Sequence, residues 1–77
     1  MPYEVVGIEH VSKTGEDGRP YSYNILHTVY SKEGFNGMCV ENFFCGSRVD
    51  LSEISVGDNV LILYNKYGKV ADVQKTA

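Results

Sequence analysis

The sequence contains no tryptophan, only two prolines and only two cysteines, and each scarcity narrows what the chain is able to be. Two prolines in 77 residues, with 43% apolar and 22% charged residues, do not fit a disordered chain, which lacks the apolar side chains needed to offset the entropy of ordering. No run approaches the roughly 18 apolar residues of a membrane-crossing helix. The opening Met-Pro-Tyr-Glu also lacks the basic and then apolar pattern of a secretory signal. A soluble cytoplasmic protein without a membrane partner is the expectation. Basic residues are few as well: seven Lys and Arg against ten Asp and Glu leave a net charge of −3. Proteins that neutralise phosphates usually carry a basic surplus. A local basic stripe is still compatible with this balance, because charges beyond about 8–10 Å are screened from one another. Any nucleic-acid affinity is expected to be modest.

The missing chemistry is equally informative. Cys39 and Cys45 lie in one apolar run that reads as a strand. At about 3.4 Å per residue they stand roughly 20 Å apart, beyond the ~7 Å Cα separation a disulfide tolerates. Reduced thiols are expected, and no further ligand stands at a spacing that would make either one part of a metal site. His10 and His27 fall on different strands, no serine or cysteine nucleophile motif is present, and Gly15 and Gly18 belong to a hairpin loop that matches no phosphate-cradling fingerprint. The chain is therefore read as a non-enzyme with no cofactor, no metal and no small-molecule substrate.

What the sequence does hold is short runs of β-branched and aromatic residues separated by glycine, asparagine and aspartate, with little helical periodicity. Strands are predicted over residues 3–11, 20–31, 38–45, 59–64 and 69–74. The polar stretch 12–19 closes a first hairpin, residues 32–37 form a turn, and residues 46–57 form the longest connection. Within that connection Asp50-Leu51-Ser52-Glu53-Ile54 carries an acidic cap with Glu53 three positions on, the pattern of a short helical turn. Asn65-Lys66-Tyr67-Gly68 supplies the glycine that a type I turn followed by a left-handed residue demands. A chain of 77 residues holds one domain and a small core. A three-strand meander, a longer crossing and a final hairpin predict an all-β fold, a small five-stranded antiparallel Greek-key barrel of the OB type, with an SH3-like barrel as the other candidate.

The second strand is the most telling. Alternation puts Tyr21, Tyr23, Ile25, His27 and Val29 on one face and Ser22, Asn24, Leu26, Thr28 and Tyr30 on the other. Two tyrosines two residues apart, next to Arg19 and the loop's Lys13, form a stacking platform with cations beside it. Bases stack on such rings for about 1–3 kcal/mol each, whatever their sequence. Lys66, Tyr67 and Lys69 make a second aromatic and basic group around the final turn, beside Tyr64. Phe43 and Phe44 are neighbours on one strand and must face opposite sides. One fills the core and the other is left for a surface platform or a dimer contact.

Gly18-Arg19-Pro20-Tyr21-Ser22-Tyr23-Asn24 resembles the Gly-Lys-Pro-Tyr-Ser-x-Asn segment of the filamentous-phage single-stranded-DNA-binding proteins. Ile54-Ser55-Val56-Gly57-Asp58 is similar to the Val-Gly turn before that family's later hairpin, although Asp58 and Asn59 stand where the family has an aromatic residue. Tyr64-Asn65-Lys66-Tyr67-Gly68-Lys69-Val70 is similar to small proteins of bacterial mobile elements and phages. The likeness implies an OB-type barrel acting as a homodimer on single-stranded DNA in a bacterial host cell. It also implies Arg19 and Tyr21 as nucleic-acid contacts and Lys13 as a residue of a DNA-binding wing. The site expected is Lys13, Arg19, Tyr21, Tyr23, Lys66, Tyr67 and Lys69. Uncovered apolar residues such as Phe43 or Leu61 are expected to be covered in the dimer. The competing expectation, drawn from the acidic balance, is a protein-interaction module on the same barrel with no nucleic-acid binding.

Overall fold

Alternating β-branched and aromatic residues favour extended backbone, because their side chains pack well on a pleated surface. The computed structural model describes residues 2–76, which form five strands: β1 (Tyr3–Thr14), β2 (Pro20–Tyr30), β3 (Cys39–Gly46), β4 (Asn59–Tyr64) and β5 (Val70–Lys75). All are antiparallel and lie in one sheet of order β3-β2-β1-β4-β5. The described residues contain no helix, hence none long and apolar enough to cross a membrane. The two outer strands, β3 and β5, approach one another without sharing a hydrogen-bonded pair, so the sheet curls without closing.

Strand β1 runs past its expected end. Ser12, Lys13 and Thr14, read from sequence as loop, pair with Ser22, Tyr21 and Pro20. Pairing between β2 and β3 stops at Tyr23 and Gly46, so beyond that row β1 and β2 continue as a two-stranded ribbon. The molecule accordingly measures 46 Å along its longest axis against 26 and 25 Å across. A tight turn caps the ribbon: Gly15 N–H donates to Arg19 O at 2.8 Å and Gly18 N–H to Gly15 O at 2.9 Å, with Gly18 at φ 81°. The β4–β5 turn repeats the device. Asn65 N–H donates to Lys69 O at 2.8 Å, Gly68 N–H to Asn65 O at 3.0 Å, and Gly68 takes φ 77°. A residue with a Cβ would pay roughly 1–2 kcal/mol for that left-handed backbone, which is why glycine ends both turns.

Two further features shape the sheet. The register of β1 on β2 slips between Val5 and Gly7, so Val6 is an extra residue that bends β1. Before the bulge β1 pairs with β4, through Tyr3↔Val60 and Glu4↔Asn59, and after it only with β2. The predicted helical turn at residues 50–54 is a simple turn instead: Ile54 N–H donates to Leu51 O at 3.0 Å, and Asp50 Oδ1 accepts from Ser52 N–H at 2.9 Å. That hydrogen bond holds the Asp50 carboxyl below its usual range. Asp50 caps its own turn rather than a helix, as aspartate commonly does.

The core collects the inward positions. Val5, Leu26, Phe43, Cys45, Val49, Ile54, Val60 and Val73 are buried, with Tyr3, Leu51, Ile62 and Val70 packed against them. Thr28 is buried too, and its hydroxyl donates to Glu41 O at 2.8 Å. Phe43 faces in and Phe44 out, so Phe43 needs no dimer partner to cover it, in contrast to the expectation. Leu61 does remain partly exposed.

Both cysteines are free thiols, Cys45 buried and Cys39 half-buried. Burial pushes the Cys45 thiol above its ordinary value. An acid whose folded pKa is raised binds its proton more tightly when folded, so its share of stability is complete below the unfolded value and is lost as pH rises through the folded one. Thermal melts from pH about 8 upward should therefore show a decline that Cys45→Ala lessens, and in the native protein a thiol reagent should modify Cys45 only as fast as the fold opens. Immediate modification of both thiols would contradict the burial.

Candidate nucleic-acid interface

The register of β1, β2 and β3 lays their outward side chains in rows. Lys13 stands opposite Tyr21; Val11 opposite Tyr23, which faces Gly46 on its other side; Glu9, Ile25 and Phe44 form the next row, and Gly7, His27 and Asn42 the one after. Inward residues of β2, Leu26 and Thr28, are fully buried, so the outward set is fixed by alternation alone. The face predicted from sequence to carry Tyr21 and Tyr23 is the outward one.

Three aromatic rings run along this face. Tyr21 and Tyr23 lie with centroids 6.3 Å apart and planes within 13° of parallel, and Phe44 stands 6.1 Å from Tyr23 at 53°. Tyr21 is 49% and Phe44 65% exposed. Both belong to strand backbone, which holds them at fixed spacing. Tyr3, by contrast, packs edge-on against Tyr30 and Phe43 at 5.3 and 4.9 Å, so the aromatic residues divide into a core group and a solvent group.

The cations fall unevenly around these rings. Two surface hollows adjoin at Ser47. One, of about 710 Å³, lies beside the ribbon and is lined by Ser12, Lys13, Thr14, Tyr21 and Ser22 as well as Ser47. The other, of about 860 Å³, runs along the seam between β3 and the β4–β5 hairpin, where Phe44, Arg48, Tyr64 and Lys69 meet Glu41. Together they bring Lys13, Arg48 and Lys69 against a single carboxylate. A third hollow carries Asp50, Glu53 and Asp72 with Lys75, so these three acidic side chains gather away from the ring-lined pair, while Glu9 stays on the ring-bearing face. An overall charge of −3 thus coexists with a locally basic track.

The remaining expected residues divide. Arg19 sits at the ribbon tip with its guanidinium 3.7 Å from the Asp17 carboxylate, both well exposed, so part of its charge is already answered. Lys66 places its ammonium 5.1 Å from the Tyr67 ring centroid at the β4–β5 turn, and Tyr67 is 74% exposed. Arg19, Lys66 and Tyr67, like Tyr23, line neither hollow. Arg48 is the residue that sequence reasoning missed: it lies in the long connection only four positions after Phe44, and it lines the same hollow as Phe44, Tyr64 and Lys69. Among the described residues no group of His, Cys, Asp and Glu has the arrangement of a metal site. No family model matches the chain, and no curated protein or solved structure matches it.

Proposed function

We propose that this chain is an OB-type barrel, left open at the β3–β5 seam, that binds single-stranded DNA without reading its sequence, as a small protein of a phage or bacterial mobile element would. The observation that carries the proposal is the outward row of near-parallel tyrosine rings, Tyr21 and Tyr23, extended by Phe44 and bordered by Lys13. Solvent-exposed rings at fixed spacing offer stacking surfaces to unpaired bases, and cations beside them offer charge to phosphates. Strand order also supports it, since β1 bends at a bulge to serve both β2 and β4 and the free strands β3 and β5 end near one another. In a five-stranded barrel of this kind the outer face of strands two and three and the loops after strands one and four are the customary ligand surface. Lys13, Arg19, Tyr21 and Tyr23, together with Lys66, Tyr67 and Lys69, occupy those places here. Pairing of two copies belongs to the proposal, with Val40 on the free-edged strand β3, at 68% exposure, in the apolar surface to be covered.

The proposal predicts a preference for unpaired bases. In fluorescence anisotropy, a labelled single strand should be displaced by unlabelled single strand and much less by the duplex of the same sequence, since stacking needs open base faces. Equal competition by duplex would remove the role of the rings. Absence of any oligonucleotide binding would favour the protein-interaction module instead.

A further inference from the structure

His27 stands midway along the outer face of β2 with both ring nitrogens directed at oxygen atoms. Nε2 lies 3.0 Å from Glu9 Oε1 on β1, and Nδ1 lies 3.0 Å from Asn42 Oδ1 on β3. A neutral imidazole carries one N–H and donates to one of them, whereas the imidazolium donates to both. Turning the Asn42 amide would serve a neutral ring on that side, but Glu9 would then stand as an uncompensated anion. Its position matters, because Glu9 lies one row from Tyr23 on the ring-bearing face. The other ionisable groups directed to this face are Glu4 and Lys13 from β1 and the tyrosines Tyr21 and Tyr23 from β2. The outward positions of β3, Val40, Asn42 and Phe44, bring none.

Resting on the single-strand reading, we propose that nucleic-acid binding is coupled to protonation of His27. A bound polyanion favours the imidazolium, and the imidazolium cancels the Glu9 charge that would otherwise repel phosphates from the platform. The site thereby binds more tightly as pH falls across the range, about pH 5–8, in which histidine side chains change charge. His10 makes a built-in comparison: it is held by Asn24 and Ser12, at 2.9 and 3.4 Å, on the opposite face of the sheet.

The test is anisotropy with labelled oligothymidine at fixed low salt from pH about 5.5 to about 8, since thymine has no group that titrates there. The parent should bind about two- to fivefold more tightly at the acid end, the size an exposed charge pair supports. His27→Gln should bind at the weaker, alkaline level throughout, Glu9→Gln should bind more tightly than the parent at the alkaline end, and His10→Gln should keep the parent's response. Chemical-shift titration of the His27 ring should also move to higher pH when oligothymidine is added. A parent whose binding is flat with pH, or a His27→Gln variant that keeps the response, overturns this inference and leaves the binding reading standing. No binding at any pH overturns both.

Discussion

Replacing Tyr21 with alanine should weaken oligonucleotide binding by about 1–3 kcal/mol, the worth of one stacked base, and leave the melting temperature nearly unchanged. Tyr21 stands on the ribbon beyond the last β3 pair and is 49% exposed, so its ring adds little to the core. Tyr21→Phe keeps the ring and should bind almost as the parent does. Phe44→Ala, on the same row of rings, should act in the same direction. The result that would reverse this assignment is a Tyr21→Ala protein that melts early yet binds normally, which would make the ring a cover for the fold and not a contact.

The opposite behaviour is expected at Leu26. Its side chain is fully buried and sits in register between Ile8 of β1 and Phe43 of β3, on the inward face of the same strand. Leu26→Ala removes buried volume that a core this small has few ways to refill, at a cost of about 2–5 kcal/mol. Domains of this size have a total stability of roughly 4–12 kcal/mol, and each kcal/mol moves the midpoint by about 4–8 °C. A fall of about 8–40 °C in a thermal melt follows. Ile25→Ala, one residue away and facing out, should cost far less. Equal losses at the two positions would contradict the assignment of the faces.

The same strand explains why so much of this arrangement was legible in the sequence. Burial along β2 alternates from Ile25 to Val29, where Leu26 and Thr28 are buried between half-buried neighbours. A strand half in water and half in a core leaves that mark in its residues. The β4–β5 turn was legible for a local reason as well, since Asn65 and Gly68 supply the side-chain and backbone geometry of the turn within four residues.

What escaped sequence reasoning has physical causes too. Ser12, Lys13 and Thr14 are exposed strand residues, and a ribbon with water on both faces imposes no alternation, so they read as loop. The bulge at Val6 adds a residue of the same type as its neighbour and leaves no trace in composition. At residues 50–54 a capping pattern was present, but the hydrogen bond from Ser52 N–H to Asp50 completes a turn without the following residues that a helix needs. Arg48 stands only four residues after Phe44, but the hollow that they share is completed by Tyr64 and Lys69 of the β4–β5 hairpin. Contacts of that kind join residues far apart in sequence and have no local signature.

The central claim is that an acidic chain binds single strands through a small basic track beside aromatic rings, and titration of labelled oligothymidine at low and at moderate salt tests it most directly. With Lys13, Arg48 and Lys69 as the cations of the track, and roughly 0.7 counterion released per phosphate contact on a single strand, log Kd should rise with log salt at a slope of about 2. Binding that strengthens at low salt with that slope is the predicted result. Affinity that does not change with salt, or no binding at low salt, would contradict the claim.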